Sequence, residues 1–442
     1  MASTYLQRTT STPTSDKKGT ISFWIKRNKL SSDQHMANIY VDGSNRFMIK
    51  FQSDDSFVLY NQNSGTGNMY LESSQKFRDV SSFYHVVCKI DTTQSTASNR
   101  AKVYINGSEI SYAATTYPNQ NDTIQWFQAS KNQQFGQYNS SNYLDAVMSH
   151  VHYTDGYAYD ASTFGSTDSV TGQWKINTSP SITMGNNGFT ILKDGNTITD
   201  QSSNSNNFTV GGGTLTKTED SPSNVFCTWN AINPFGGTLA NGNLTVGNSS
   251  SYNHNVQGSL GMEKGKFYWE YKMTNTHGQF GVCENCKAGQ ADPQSNIGFY
   301  FLYNNGNTTG TIFNNVSGNS SSTVTVSAFA NGMILGCAYD ADNEALYIHQ
   351  NGTYVTSGDP TSGASKTGAI ITNLRARYGG TIVPLLAFGT SGARTNFDAN
   401  FGNGYFGTTA VASAGSNASG NGIFEYNVPT GYTALSTKGL NL

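Results

Sequence analysis

Two short segments, one in each half of the chain, share the pattern that most constrains the fold. Lys102–Ile110 and Ala345–Val355 each contain a run of β-branched and aromatic residues, then Asn-Gly, then another such run. Asn and Gly both tolerate positive φ, so the pair fits the tight turn that joins two antiparallel strands. Each hairpin comes late in its own series of strand-like segments. The pattern therefore predicts two β-sandwiches, and we expect them to bind rather than to catalyse.

The composition supports an all-β protein built from short strands and many turns. Charged residues make up 12% of the 442 residues, about half the usual share. The chain is instead rich in Tyr, Phe, Gly, Asn, Ser and Thr, and the dipeptide Asn-Gly occurs eight times. The net charge of −2 gives no sign of a polyphosphate partner.

Cysteine usage and the N-terminal residues indicate where the chain is made. The first residues contain no apolar signal region, and no apolar run approaches the roughly 18 residues of a membrane helix. The five cysteines are an odd number, and several lie in apolar strand-like runs. We therefore expect buried, reduced thiols and synthesis in a cytoplasm, with no membrane insertion.

Strand-like segments at roughly ten-residue spacing predict the domain organisation. They run from Thr20 to Tyr153 and resume at Gly265. Between them, turn and linker residues dominate, as in Gly211-Gly-Gly213. We predict two antiparallel jelly rolls, at 1–176 and at 223–442 with a C-terminal extension, joined by an ordered, loop-rich connector over 177–222.

Particular strands give each sandwich a family resemblance. The N-terminal block resembles laminin-G-like, concanavalin A-like jelly rolls through Ile21–Lys26, Phe83–Val87, Val103–Gly107 and Tyr143–Val147. The C-terminal block resembles a SPRY domain, itself a concanavalin-like sandwich, through Gly265–Glu270, Asn331–Asp340, Leu346–Gly352 and Asn400–Gly402. The resemblance implies two concanavalin-like sandwiches.

The join between the two blocks is the most specific resemblance. It consists, in order, of Tyr153–Gly156, Ser162–Gly165, Gly172–Lys175, Gly185–Phe189 and Asp220–Phe226. This order resembles phage and prophage virion proteins, notably from marine phages, that place a laminin-G-like domain before a SPRY-like one. The resemblance implies a virion component on the particle surface or tail, with an adhesive or decorating role. We expect the protein to be made in the host cytoplasm and to decorate the head or tail. The partners that we expect are other capsid or tail proteins, further copies of the chain and a host surface glycan. As for individual positions, the resemblance is silent.

Glycoside hydrolysis requires attention because concanavalin-type jelly rolls include glucanases. That reaction needs two carboxyl groups facing one another across the scissile bond. None of the eight glutamates has an acidic partner at alternating positions of a strand-like run, and the residue two positions after Glu270 is Lys272. A buried Glu270 is better interpreted as hydrogen-bonded or salt-bridged. We therefore predict no catalytic residues.

Three patterns resemble metal sites, and each has a simpler interpretation. Cys283-Glu-Asn-Cys286 lacks the two further ligands that zinc needs. His150 and His152 alternate on one strand, which predicts that both face one side near Asp155 and form an exposed or interfacial face. The third pattern resembles half of a calcium-binding loop and occurs in Asp42–Asn45 and Asp194–Asn196. Each segment offers too few oxygen ligands for calcium, and ordinary turns explain the residues of both. We therefore expect no metal and no cofactor.

Nucleic-acid binding is not expected. Basic residues are dispersed along the chain, and Arg375 and Arg377 are the nearest approach to a cluster.

Aromatic residues beside turns are the candidate ligand-binding residues. Sugars present flat apolar faces rimmed by hydroxyls, so Tyr and Trp next to Asn or Asp suit them. The aromatic candidates are Tyr117, Trp126, Tyr153, Tyr157 and Tyr159. Asp155, on the turn that follows Tyr153, is a further candidate. The alternative is that these rings fill the core or a subunit contact.

The function that we expect is a non-enzymatic virion protein with lectin-like surfaces, present in many copies. Two alternatives remain open. One is a purely structural cement or fibre subunit without a ligand, and the other is a polysaccharide depolymerase. The sequence contains no heptad stalk, so assembly must use sandwich faces, strand edges or the connector.

Overall fold

The computed structural model divides the chain into two compact units, Met1–Lys217 and Thr218–Leu442, and each is described by itself. The structure describes residues 3–193, 195–232, 237–248, 254–284, 298–314, 321–374, 381–388 and 397–442. Within these residues the fold is all-β, and helix is confined to short 3-10 turns. These turns are Ala97–Asn99, Gln125–Phe127, Ala161–Thr163, Val355–Ser357, Gly363–Ser365 and Gly439–Asn441.

The first unit is built from strands joined mostly by tight turns. In the described residues they are β1 (Tyr5–Thr9), β2 (Lys18–Arg27), β3 (Gln34–Asp42), β4 (Asn45–Phe51), β5 (Ser56–Asn63), β6 (Thr66–Lys76), β7 (Tyr84–Asp91), β8 (Ala101–Ile105), β9 (Ser108–Glu109), β10 (Tyr112–Thr116), β11 (Asn132–Phe135), β12 (Ala146–Asp155), β13 (Gly165–Thr167), β14 (Trp174–Ile176), β15 (Phe189–Ile191) and β16 (Thr209–Gly212).

Two antiparallel sheets of the first unit enclose its core. Across the described residues, one sheet has the order β10-β6-β5-β4-β3-β11-β1-β16 and the other β15-β12-β2-β7-β8-β9, while β13 and β14 form a separate hairpin. Along the regular strands β2, β4, β5 and β7, alternate residues point inward, and the buried set includes Phe23, Phe47, Leu59 and Val86. This arrangement is a β-sandwich, as the sequence predicts.

Most of the stretch that we predicted as a connector, 177–222, belongs to the first unit, and two short strands within it join that unit's sheets. Strand β15 pairs with β12, and β16 pairs with β1. The buried guanidinium of Arg8 holds this stretch against the first sandwich. It donates to the Asn187 carbonyl oxygen at 3.0 Å and to Asn206 Oδ1 at 2.8 Å. The division between the two units falls after Lys217.

The second unit is also built from strands. In the described residues they are β17 (Gly237–Ala240), β18 (Thr245–Asn248), β19 (His254–Gln257), β20 (Lys266–Met273), β21 (His277–Glu284), β22 (Phe299–Asn305), β23 (Thr309–Asn314), β24 (Ser321–Thr325), β25 (Ile334–Asp340), β26 (Ala345–Gln350), β27 (Thr353–Tyr354), β28 (Ile371–Thr372), β29 (Ile382–Phe388), β30 (Phe397–Asn400), β31 (Tyr405–Phe406), β32 (Thr409–Ala410) and β33 (Thr433–Ala434).

Two sheets again pack face to face in the described part of this unit. One runs β17-β18-β30-β20-β25-β26-β27, with β28 on β26 and β33 on β20, and the other runs β19-β29-β21-β22-β23-β24. Trp269 and Tyr271 of β20 face the core between them, whereas Tyr268 faces outward. The C-terminal segment 423–434 covers that outward face, where Phe424 and Tyr432 pack with Tyr268.

The two Asn-Gly turns are built in the same way. The Asn106 N–H donates to the carbonyl oxygen of His85 at 2.9 Å, and Asn106 Oδ1 accepts the N–H of His85 at 2.8 Å. Asn351 makes the same pair of bonds with Ile334, both at 2.8 Å. The hairpins are therefore equivalent parts of two sandwiches, as the sequence predicts.

An aromatic ring from a later segment covers the glycine of each turn. Gly107 has φ +82°, and a Cβ there would lie 2.4 Å from the ring of Trp174. Gly352 has φ +85°, and a Cβ there would lie 2.8 Å from the ring of Tyr426. Each position therefore requires glycine for both its backbone conformation and its close contact.

Candidate functional site

The structure corrects the sequence prediction for three of the candidate ligand-binding residues. Trp126 and Tyr153 are both 0% exposed and lie in the core of the first unit, so neither ring offers a face to a sugar. Asp155 is also 0% exposed. Its carboxylate accepts the N–H groups of Thr14 at 2.8 Å and Asn187 at 2.9 Å, which is a structural role.

The other candidates lie nearer the surface. Tyr117 is half-buried and packs against the core. Tyr157 is 38% exposed, and its ring stacks with that of Tyr159 at a centroid distance of 6.5 Å and an interplanar angle of 22°. Of the residues predicted from the sequence, Tyr157 and Tyr159 are therefore the pair that the structure brings together at an accessible position.

These two tyrosines belong to a larger surface on the outer side of the six-stranded sheet. We call it the aromatic platform and define it by Tyr104, Tyr157, Tyr159, Asp160 and Trp174. The three partly buried rings, those of Tyr104, Tyr159 and Trp174, pack on a small buried cluster formed by Val87, Ala161 and Phe164. Tyr157 and Tyr159 could be predicted from their position beside a turn, but Tyr104 and Trp174 come from distant strands.

The backbone under the aromatic platform is fixed by two threonines. The hydroxyls of Thr20 and Thr154 donate to the Tyr157 carbonyl oxygen at 3.1 and 2.6 Å. The N–H of Tyr159 in turn donates to the Thr20 hydroxyl at 2.7 Å. The hydroxyl of Tyr159 accepts the N–H of Thr183 at 2.9 Å. The Tyr157–Tyr159 pair is therefore held in place before any ligand binds.

Asp160 places a charged group at the edge of the rings. Its side chain is 55% exposed. One carboxylate oxygen accepts hydrogen bonds from Lys89 Nζ at 2.8 Å and from the Tyr104 hydroxyl at 3.0 Å. Burial alone would raise the pKa of Asp160, but these two donors hold it below its ordinary value. The carboxylate is therefore ionised at neutral pH and can accept hydrogen bonds from a ligand's hydroxyls.

Trp174 is anchored by a buried histidine that no sequence motif marks. The indole Nε1 donates to His85 Nδ1 at 3.0 Å, and His85 Nε2 lies 3.0 Å from the Ser22 hydroxyl. Because Nδ1 accepts a hydrogen bond, the proton of the neutral ring is on Nε2, which donates to Ser22. Burial, and then the neighbouring His152, lower the pKa of His85 to about 3. This Ser–His pair therefore cannot activate Ser22 as a nucleophile.

Glu270 is a buried carboxyl group on the outer sheet face of the second unit. It accepts the N–H groups of Glu425 and Tyr426 at 2.9 and 2.8 Å and the hydroxyl of Tyr268 at 2.9 Å. The prediction of a hydrogen-bonded Glu270 is confirmed by these contacts. Burial raises its pKa to about 7, although the hydrogen bonds lower it in part. The carboxylate ties the C-terminal segment to the sheet.

The histidine pair differs from its predicted arrangement. A β-bulge lies between Ser149 and His152, and His150 has φ +49°, so the regular alternation that would align the two side chains is broken. His152 is buried and its Nδ1 lies 2.9 Å from the Thr190 hydroxyl. Within the described residues, no three His, Cys, Asp or Glu side chains are grouped closely enough to hold a metal ion.

The remaining sequence patterns are structural or lie outside the described residues. Asp42 Oδ1 accepts the Ser44 N–H at 2.7 Å, which closes a turn. The thiols of Cys88, Cys227, Cys283 and Cys337 are buried and form no disulfide. Four residues of these patterns lie outside the part of the chain that the structure describes, namely Asp194, Cys286, Arg375 and Arg377.

Comparison with known proteins supports the fold of the first unit. Residues 2–158 match the Laminin_G_3 family model, described as the concanavalin A-like lectin/glucanases superfamily. The first unit contains a concanavalin A-like domain. A comparison with curated proteins finds no match. In the part of the chain that the structure describes, no helix has the length and apolar character to cross a bilayer.

Solved structures similar to this chain include SPRY domains and a pentraxin. The SPRY domain of human HERC1 has a TM-score of 0.31 and 14% identity, over 39% of this chain and 96% of that chain. The TRIM65 PSpry domain has a TM-score of 0.28 and 13% identity, over 39% and 90%. The heptameric SAP-like pentraxin from Limulus polyphemus has a TM-score of 0.29 and 15% identity, over 48% and 90%.

Proposed function

We propose that this chain is a non-enzymatic phage virion protein that binds glycans through the aromatic platform of its concanavalin-like domain. The observation that carries the glycan-binding part is the exposed Tyr157 ring, stacked on Tyr159 beside the half-exposed carboxylate of Asp160. The virion part rests on the five segments between Tyr153 and Phe226, whose order along the chain resembles that of phage virion proteins.

The aromatic platform suits a sugar for a physical reason. The flat apolar face of a pyranose ring can stack on the Tyr157 ring, while its hydroxyls donate to Asp160 and accept from Lys89. Because the threonine contacts fix the loop, little conformational entropy is lost on binding. One such contact is weak, and many copies on one particle would make adhesion effective through avidity.

A glycan array probed with the purified full chain tests this function. We expect retention on at least one group of glycans, with no release of reducing ends from them. Silence on every sugar would support the purely structural cement or fibre subunit instead. Release of reducing ends would support the depolymerase.

The virion assignment is tested separately by immunogold labelling of purified particles with an antibody against the chain. We expect label on the head or the tail. Particles without label would contradict a virion component, whatever the array shows.

A further inference from the structure

Another surface of the first unit has the composition of a sugar-binding site, and it lies on a different sheet from the aromatic platform. Along β4 and β5 the residues Phe47, Ile49 and Leu59 face the core. Their neighbours Arg46 and Tyr60 therefore face the opposite side of the eight-stranded sheet. We call this side the tyrosine face, and its rings are those of Tyr40, Tyr60, Tyr70 and Tyr138.

The strand register aligns side chains of the tyrosine face into a row. Asn38 is opposite Met48, Met48 is opposite Tyr60, and Tyr60 is opposite Tyr70. On the other side of Tyr70, Thr116 of β10 is the register partner that extends the row. Asn38 is 0% exposed, so the accessible part of the row runs from Met48 to Thr116 and crosses three gaps between strands, about 14 Å in all. This is long enough for several linked sugar units rather than one. Tyr60 and Tyr70 are half-buried, so each keeps part of its ring accessible.

Polar contacts hold the rings of this face in place. Arg46 Nε donates to Gln62 Oε1 at 2.6 Å, its Nη1 donates to the Tyr138 hydroxyl at 3.3 Å, and its guanidinium lies 5.5 Å from the centre of the Tyr60 ring. The Tyr70 hydroxyl donates to Glu72 at 2.6 Å. These contacts pre-organise the aromatic surface, which lowers the cost of binding an extended ligand.

The charges of the tyrosine face cancel. Lys50 Nζ lies 2.7 Å from Asp33, and Arg46 and Glu72 supply one further charge of each sign. His35 is buried, and this burial lowers its pKa to about 4, so it is neutral at pH 7. The rings of Tyr40, Tyr60 and Tyr70 are half-buried, and the Tyr60 and Tyr70 rings meet edge to face. A surface of such rings on which these charges balance suits an uncharged chain of sugars, not an acidic polymer.

We propose that the tyrosine face binds an extended, uncharged polysaccharide chain. The inference rests on the proposed glycan-binding function and adds a further site with a different preference. The aromatic platform would bind a single sugar unit, and the tyrosine face would bind several consecutive units.

Affinity electrophoresis of the full chain tests this proposal, in gels that contain dextran, laminarin or galactomannan, with alginate as an acidic comparison. We expect retardation by at least one neutral polymer, and we expect added NaCl to leave it unchanged. The double variant Tyr60→Ala/Tyr70→Ala should weaken retardation about tenfold or more, whereas Tyr60→Phe/Tyr70→Phe should retain most of it. A thermal melt confirms that each variant folds.

The outcomes separate this inference from the proposed function. Unchanged retardation of the double alanine variant overturns the tyrosine face, even if Tyr157→Ala abolishes binding on the array. Retardation that only alginate produces, or that salt removes, also overturns it. So does the absence of retardation in every gel. A double variant that loses self-association instead of polymer binding would show that the face is a contact between copies. Loss of retardation in that variant, with retardation of Tyr157→Ala unaffected, would support the tyrosine face as a site separate from the aromatic platform, which the glycan array tests.

Discussion

At the scale of single residues, the sequence reveals the chemistry of a position better than the face on which it lies. The Asn-Gly pairs at 106–107 and 351–352 form the turns that their backbone preferences predict. Tyr153 lies on the predicted strand, yet its ring is in the core, because alternation defines two faces without saying which is buried. Trp126 is buried for a reason that local sequence does not show, namely its long-range packing against Phe47 and Phe135.

Gly107 provides a direct test of the first turn. Gly107→Ala places a Cβ at positive φ and against the Trp174 ring, so we expect the first unit to lose roughly 2–4 kcal/mol of unfolding free energy. The control is Gly172→Ala in the same unit, where φ is +71° and no atom lies within 4 Å of the added Cβ. It should cost about 1–2 kcal/mol. Denaturant unfolding measures both, and equal losses would show that Trp174 does not restrict the turn.

Glu270 should make the stability of the second unit depend on pH. Its pKa is raised from 4.5 to about 7, so the folded state binds the proton more tightly than the unfolded state. Its contribution is therefore most favourable below about pH 4.5 and is lost as pH rises through 7, roughly 3 kcal/mol in all. Glu270→Gln should remove this part of the pH dependence.

Thermal melts of wild type and Glu270→Gln between pH 4.5 and 8 measure the effect as the difference between their slopes. Because glutamine offers one acceptor oxygen where the carboxyl group offers two, we also expect the variant to be less stable than wild type at pH 5. Parallel pH profiles would show that Glu270 does not titrate in this range.

At the scale of elements, the strands were the most predictable part and their irregularities the least. The series from Thr20 to Tyr153 appears as paired strands, and β12 spans Ala146–Asp155. The bulge beside His150 could not be foreseen, since it depends on how β12 pairs with β2 and β15. The stretch 177–217 contains turn chemistry typical of a linker, yet long-range contacts with Arg8 and Asp155 attach it to the first sandwich.

Asn187 tests how firmly that stretch is attached. Its Oδ1 accepts the Ser11 N–H at 2.8 Å and an Arg8 guanidinium N–H at 3.3 Å. Asn187→Ala leaves the buried Arg8 donor and the part-buried Ser11 N–H short of an acceptor, so we expect a loss of about 1–3 kcal/mol and faster proteolysis of 185–217. The neighbouring Asn186→Ala is the control, because its side chain makes one exposed contact, with Thr12 at 3.4 Å. Equal proteolysis of the two variants would contradict the anchoring role.

At the scale of the whole molecule, composition and turn frequency predict an all-β chain, and the two Asn-Gly hairpins with their strand series predict two sandwich units. The aromatic platform was predictable only in part. Tyr157 and Tyr159 are close in sequence, whereas Tyr104 and Trp174 reach the same surface from β8 and β14. A single sequence gives no signal for such long-range grouping. The tyrosine face was missed for the same reason, because its rings come from strands whose register only the structure shows.

The proposed function depends most on glycan binding by the aromatic platform, and one titration tests this binding directly. Wild type, Tyr157→Ala and the control Tyr143→Ala are titrated with the glycan that gives the strongest array signal. Tyr143 is a half-buried tyrosine of the same unit whose hydroxyl donates to the Ser140 carbonyl oxygen. We predict that Tyr157→Ala raises Kd roughly fivefold or more, while Tyr143→Ala leaves it unchanged. Equal affinities for wild type and Tyr157→Ala would contradict glycan binding by the aromatic platform.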